Sequence, residues 1–203
     1  MCATEVFSII KDIALAGAAC VTAYVALTGL EKWQKELRGR ANFDVARELA
    51  KSIYLLRDKI SYCRSPFIIA AEFPENYSEA LGRHTNEEEG QAWAHVYSKR
   101  WKPVSIALQA FEASTLEAEA LWGNTIKERA LELRACVRSL QGYIEAFIQN
   151  KYSGGEHFKN REFCKKVEES VWDIKSESNE LTQRINKAIE KIEAEIRPHL
   201  SRS

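Results

Sequence analysis

The chain of 203 residues carries 29 basic and 29 acidic side chains, so its formal net charge is zero. This balance argues against the basic surface of a dedicated nucleic-acid-binding protein, and no nucleic-acid partner is expected. Nine glycines, four prolines and 29% charged residues favour an all-α fold over a sheet protein. The 5 cysteines are widely spaced, which predicts reduced thiols rather than a disulfide framework or a metal site.

Residues 13–30 form an uncharged run close to the N-terminus. As a helix the run measures roughly 27 Å, slightly less than the ~30 Å hydrocarbon core of a bilayer. Trp33 follows at the depth of the membrane interface, and a further apolar turn precedes the run at Val6, Phe7, Ile9 and Ile10. The pattern predicts an N-terminal segment 1–12, a transmembrane helix 13–30 and a juxtamembrane segment 31–41.

Two other interpretations of this run remain open. One is a core helix of a soluble protein, because the run is of marginal length and moderate hydropathy. The other is a secretory signal peptide, which is disfavoured because the first ten residues contain Glu5 and no Lys or Arg.

The charges that flank the run predict its orientation. Lys32, Lys35, Arg38 and Arg40 follow it closely, whereas only Lys11 and the amino terminus precede it. Because basic flanks stay in the cytoplasm, we expect a single-pass protein of the inner (cytoplasmic) membrane with its N-terminus outside. Gly39 offers a bend after the span.

Small side chains form a stripe along the predicted span at a spacing of four, namely Ala14, Ala18, Thr22 and Ala26. In lipid, small-residue stripes let two helices approach closely. They are candidates for a helix–helix contact in the membrane, and hence for a homo-oligomer. The alternative is that alanine is simply abundant in this segment.

Residues 42–203 predict an antiparallel bundle of about four long helices. The first has a seam that ends before Pro66: Ala46, Leu49, Ile53, Leu56, Ile60 and Cys63. Residues 64–86 lack a period and predict a crossover loop. Loops of this length commonly bind or cover something, so this loop is a candidate part of a functional surface.

Thr85 and Glu88 form the pattern of a capping box that starts the second helix. Its seam comprises Trp93, Tyr97, Trp101, Val104, Leu108, Phe111, Thr115, Ala118 and Trp122. Pro103 interrupts this pattern and predicts a kink near Lys99, not an end, because the register resumes unchanged.

Gly123 predicts a tight hairpin, with Thr125 as the cap of the third helix. The third seam is Ile126, Ala130, Leu133, Val137, Leu140, Ile144 and Phe147, and residues 153–155 end the helix. A last helix is predicted from Asn160 to Pro198, about 55 Å if continuous. Its seam is Val167, Val171, Ile174, Ser178, Leu181, Ile185, Ala188 and Ile192, widened by Ile189 and Ile196.

Motifs that carry chemistry are missing from the sequence. None of the four histidines follows a glutamate at three residues, as a di-iron bundle requires, and no zinc, phosphate-loop or serine-elbow motif occurs. We therefore predict no catalytic residue, metal or cofactor. His95 stands among Trp93, Tyr97 and Trp101 on a predicted helix, and a packed or surface histidine is favoured over a catalytic one. Trp93, Trp101 and Trp122 are expected in the core rather than in a ligand cage.

Cys164 is the candidate reactive thiol, because Lys165 and Lys166 beside it are of the kind that lowers a thiol pKa. The alternative is that lysines are simply common in so charged a helix.

A block after the span carries a resemblance. It comprises Trp33, Leu37, Gly39, Phe43, Asp44, Ala46, Arg47, Leu49, Tyr54, Leu56, Arg57, Asp58, Arg64, Ser65, Pro66 and Phe67. Within residues 20–72 the chain resembles uncharacterised bacterial single-pass inner-membrane proteins. The resemblance implies a membrane location and no catalytic residue.

The combined expectation is a membrane-anchored helical interaction or regulatory module without catalytic activity, with the lipid bilayer and an unidentified protein as partners. One alternative is a membrane-acting effector of a toxin or defence type, whose N-terminal helix perturbs the bilayer. The other is a soluble bundle with a ligand or enzyme site that carries no sequence motif.

Overall fold

The computed structural model describes residues 3–75, 77, 84–158, 160–174 and 177–200, and of residues 3–10 and 12 only the backbone. The predicted apolar turn at residues 6–10 and the loop residues 76 and 78–83 therefore lie outside the described side chains. Over the described ranges the protein is all-α, without a strand. Its helices are α1 (Ala3–Cys63), a 3-10 helix (Ala70–Glu72), α2 (Asn86–Trp122), α3 (Asn124–Tyr152), α4 (Arg161–Val171) and α5 (Glu180–Leu200).

Four of the helices form a bundle in which each packs against two neighbours. The second half of α1 contacts α2 and α5, and α3 contacts the same two helices from the opposite corner. The short helix α4 packs on α3. The proximal end of the bundle is where α1 enters, near Asn42, and the distal end is where α1 finishes, at Cys63. The predicted helical bundle is confirmed.

Helix α1 runs without interruption from the apolar segment into the bundle core. Its 61 residues span about 90 Å, and Gly39 lies inside the helix. The predicted bend at Gly39 is wrong. One glycine lowers helix stability by about 1 kcal/mol, which is too little to break a helix whose neighbours on both sides favour it.

The apolar seams of the first and third helices are confirmed in full. Every seam residue from Ala46 to Cys63 and from Ile126 to Phe147 is buried. On α2 the large tryptophans are only half-buried, and they pack against the edge of the core. The spacing of three and four therefore identified the faces that point inward.

The ends of α2 and the turn after it follow simple capping rules. Thr85 accepts a hydrogen bond from the Glu88 amide, and Glu88 binds back to the Thr85 amide, which confirms the capping box. Helix α2 continues through Pro103, as predicted, while the kink near Lys99 stays a prediction. The helix ends at Trp122 and is capped by Gly123, whose φ of 84° favours glycine. Thr125 is not the cap of α3, because the helix already begins at Asn124.

The predicted continuous last helix is wrong, because the chain leaves the helical path between α4 and α5. Ile174 and Ser178, predicted on the seam, are both exposed. The Asn179 side chain accepts a hydrogen bond from the Thr182 amide and so starts a new helix. Asp173 donates its amide to the carbonyl of Arg64, at a distance of 3.0 Å. The Asn179 cap and the tertiary hydrogen bond of Asp173 thus interrupt the helix, although the apolar spacing in the sequence continues.

Candidate functional site

The N-terminal part of α1 is an apolar helix that nothing in the described chain covers. Its most apolar 18-residue window has a mean hydropathy of 1.9, and none of that window is buried. By length and composition this helix could cross a membrane, a test that signal sequences and core helices of soluble proteins also pass. Ile13 and Tyr24 are among its exposed side chains. Residues 13–30 of α1, which we call the rod, therefore project from the bundle with their apolar side chains exposed.

The predicted small-residue stripe lies on this rod. Ala14, Ala18, Thr22 and Ala26 are all exposed. The Thr22 hydroxyl donates to the Ala18 carbonyl at 2.9 Å, so this hydroxyl is satisfied within its own helix. The stripe is available for a close contact, and its contact with a second copy stays a prediction.

Basic residues follow the rod before the bundle begins. Arg40 pairs with Glu36 at 2.5 Å, whereas Lys32, Lys35 and Arg38 have no ion pair among the described residues. An open cleft of about 890 Å³ lies between this part of α1 and the end of α5, near His199. Basic side chains therefore outnumber acidic ones where the rod meets the bundle, although Glu36 and Asp44 also line the cleft.

Side chains from three helices fix the proximal end of the bundle. The Trp122 indole donates to the Asn42 side chain at 3.1 Å. His199 stacks on Trp122 with a centroid separation of 4.2 Å and nearly parallel rings. These contacts tie α1, α2 and α5 together at the level where α1 enters.

Arg100, on α2, holds the crossover loop at the distal end. Its side chain is 1% exposed, and it donates to the carbonyls of Ser65 and Phe67 at 2.7 Å each. It also forms a two-point contact with the Glu72 carboxylate. This guanidinium holds the pKa of Glu72 below its usual range. One buried cation thus fixes the path of residues 65–72.

Arg64, which directly follows α1, holds the connection between α4 and α5. It is 2% exposed and donates to the Ser170 carbonyl at 2.8 Å. Further donors reach the Thr182 hydroxyl at 2.7 Å and the Asn179 side-chain oxygen at 2.8 Å. Oδ1 of Asp173 lies 3.7 Å from Nη2 of Arg64, so this carboxylate supplies the opposite charge. The two buried arginines therefore order both loops of the distal end.

These ordered loops expose large apolar side chains, which we call the distal tip: Pro66, Phe67, Ile69 and Ile174. Phe67 is 84% exposed, Ile69 65% and Ile174 71%. A surface groove between the two loops is lined by Pro66 and Ile174 together with Trp172. Rigid loops that expose apolar side chains are typical of protein-binding surfaces.

An aromatic cluster supports the distal tip from below. Trp93, Tyr97, Phe147 and Trp172 pack edge to face or stacked, with centroid separations from 5.3 to 6.5 Å. Phe73, just after the 3-10 helix, adds an edge contact to Trp93 at 5.5 Å. Trp93 and Trp122 lie at opposite ends of the bundle, so the tryptophans do not form one cage.

The predicted thiol and the histidines lie apart from one another. Cys164 is half-buried on α4, and the lysines beside it are already paired, Lys165 with Glu169 and Lys166 with Glu180. His95 is half-buried on α2. Among the described residues, no group of His, Cys, Asp and Glu side chains is arranged to hold a metal ion. A reactive Cys164 stays a prediction.

The residues that shape the distal end were missed by sequence reasoning, although a signal existed. Arg100 lies between Tyr97 and Val104, on the buried face of an apolar seam. A charged residue in such a place needs a buried partner. The identity of that partner depended on how the crossover loop folds, which no local pattern specifies.

No protein-family model matches the chain, and neither a curated protein nor a solved structure matches it. The resemblance to bacterial single-pass inner-membrane proteins therefore stays a prediction.

Proposed function

We propose that this protein is a noncatalytic, single-pass membrane protein whose cytoplasmic bundle binds a protein partner. The continuity of α1 carries this proposal. The same helix supplies an exposed apolar segment long enough to reach across a bilayer and then one wall of the bundle core. Such a helix anchors the bundle without a flexible linker.

The charge distribution supports an orientation with the bundle in the cytoplasm. Lys32, Lys35 and Arg38 follow the apolar segment without ion pairs in the described chain, so their full charge is available at the membrane surface. Basic residues at this position favour the cytoplasmic side and attract anionic lipid headgroups.

The height of the distal tip supports a protein rather than the same bilayer as its partner. Between Leu30 and Cys63, α1 extends about 50 Å beyond the apolar segment. Phe67 and Ile174 therefore lie far from the membrane in which an upright protein would be anchored. Their exposed apolar area fits an apolar surface on another protein.

Fractionation of the expressed full-length protein tests the anchor. We expect it to stay in the membrane pellet after carbonate washing and to need detergent for release. The double variant Val21→Asp, Val25→Asp should become soluble and remain helical, because each charge costs roughly 2.5–3.5 kcal/mol at the centre of a span. The matched control Val21→Leu, Val25→Leu should stay in the pellet. Release of the unchanged protein by carbonate would refute the anchor.

Orientation and partner binding have separate tests. In spheroplasts, added protease should leave the bundle intact until the membrane is broken. A photo-crosslinking residue that replaces Phe67 should form a discrete adduct, and the added substitution Ile174→Asp should weaken it. The same photo-crosslinking residue in place of Asp58 should form no such adduct. Ion leakage on expression, without such an adduct, would favour the membrane-acting effector instead.

A further inference from the structure

A second exposed apolar surface lies on the side of the bundle, in the groove between α2 and α3. Leu116 is 66% exposed and Leu131 43%, and each lies about two turns from the Gly123 turn that joins the two packed helices. The α2–α3 groove has acidic and apolar residues on one wall and basic and apolar residues on the other: Glu112, Leu116 and Glu119 on α2, and Lys127, Leu131 and Arg134 on α3.

Oppositely charged residues face one another across the α2–α3 groove. Glu119 pairs with Lys127 at 2.8 Å, and Glu112 pairs with Arg134 at 2.8 Å. Between these two ion pairs lie the exposed leucines. In each ion pair, therefore, α2 supplies the carboxylate and α3 supplies the base. Between the two ion pairs each helix carries an exposed leucine.

This arrangement is complementary to itself. A two-fold axis parallel to the helices places α2 of one copy against α3 of the other. Glu112 and Glu119 then face Arg134 and Lys127 of the second copy, and Leu116 faces the second copy's Leu131. Each carboxylate gains a second base as a neighbour, and the two leucine pairs leave water together.

We propose that the α2–α3 groove is covered by a second copy of this chain, in a parallel two-fold dimer. The proposal rests on the proposed function, because the anchors of two copies in one bilayer must point the same way. An axis along the bilayer normal keeps them parallel and sets the two grooves at the same height. Confinement to the membrane also raises the effective concentration, so a modest contact area is sufficient.

An unrelated partner fits this surface less well. Both charged residues on the α2 wall are acidic and both on the α3 wall are basic, so a complementary surface must place bases along α2 and acids along α3, with apolar side chains between them. The groove of a second copy presents bases, acids and leucines in that arrangement.

Disulfide cross-linking tests the geometry in intact membranes. Two differently tagged full-length chains are expressed together, one with Leu116→Cys and one with Leu131→Cys. Both also carry Cys2→Ser, Cys20→Ser and Cys164→Ser. We expect the mixture to cross-link several-fold more than either chain alone, and far more than a chain with Lys187→Cys on exposed α5 surface. Equal yields in all these samples would overturn the proposal.

Charge exchange tests the specificity of the contact. A basic variant carries Glu112→Lys and Glu119→Lys, and an acidic variant carries Lys127→Glu and Arg134→Glu. Each variant alone places like charges across the dimer axis, so copurification of two tagged copies should fall roughly tenfold. Coexpression of the basic and acidic variants should restore it. Failure to restore copurification, with both variants folded by circular dichroism, would overturn the proposal.

The same membranes separate the two possible failures. If the protein is lost on carbonate washing, the anchored function is refuted whatever the cross-linking result. If it is retained but stays monomeric in both experiments, only the dimer is refuted.

Discussion

Replacing Arg64 by methionine is the sharpest test of how the distal end is held. Methionine keeps much of the buried volume but removes the hydrogen bonds to Ser170, Thr182 and Asn179. Breaking a buried charged pair by removal of one partner destabilises proteins by about 3–5 kcal/mol, because the remaining charge stays buried and unpaired. Here Asp173 would lose the cation beside it, although the Thr182 hydroxyl still donates to its carboxylate.

The expected loss of stability is smaller than the combined contribution of three separate charged hydrogen bonds, because some of the acceptors keep other donors. After the substitution, Asn179 still accepts from the Thr182 amide, and the Thr182 hydroxyl still donates to Asp173. The Glu169 carbonyl likewise keeps the Asn179 side-chain donor, so the main losses are the donor to the Ser170 carbonyl and the cation beside Asp173. We therefore expect a loss of about 3 kcal/mol, which lowers the melting temperature by roughly 6–12 °C in a chain of this size.

Thermal melting of the full-length protein in detergent, followed by circular dichroism, measures this loss. Limited trypsin digestion should also cleave Arg64→Met earlier than the unchanged protein, between α4 and α5. The matched control is Arg57→Met, since Arg57 is exposed and pairs with its neighbour Asp58, and it should change stability by less than about 0.5 kcal/mol. Melting of Arg64→Met within about 2 °C of the unchanged protein would refute the reasoning.

Three further outcomes follow from single positions. Gly39→Ala should raise the free energy of unfolding by roughly 0.5–1 kcal/mol in urea titrations, since the helix is continuous there and an added Cβ meets no atom within 4 Å. Gly90→Ala should lower it, because the added Cβ would lie 2.4 Å from the Tyr152 ring. The third outcome concerns Cys63. Burial raises the pKa of its thiol from 9.0 to about 12. The unfolded thiol ionises first, so stability should fall as pH rises from 9 towards 12, by about 1.4 kcal/mol at pH 10. Chemical unfolding of Cys63→Val should show a shallower decline over the same range, and an unchanged slope would contradict the assignment.

Periodic burial was the part of the fold that could be predicted. Seam residues such as Leu49 and Leu133 recur at helical spacing because each helix buries one face, so the pattern in the sequence is the pattern of the core. Start and stop residues were also readable where the signal is local. Thr85 with Glu88 and the glycine at position 123 act within one turn of the chain.

The break before α5 could not be predicted from the same rules. Val171, Ile174, Ser178 and Leu181 keep the spacing of a continuous helix, yet the chain departs from it to place Asp173 on Arg64, far away in sequence. Competition between a local helix and distant hydrogen bonds is invisible to a periodic pattern. Ile174 reaches the distal tip through that departure and was missed for the same reason, whereas Pro66, Phe67 and Ile69 lie in the crossover loop that was predicted as a candidate functional surface.

The continuity of α1 makes the bundle a lever. With no joint between the apolar segment and the core, a change in tilt of the segment is a change in tilt of the entire bundle. A tilt of about 20°, ordinary for membrane helices, would displace a point 50 Å above the membrane by about 17 Å to the side. In the proposed membrane-anchored orientation, bilayer thickness would then determine where Phe67 and Ile174 are presented relative to the membrane.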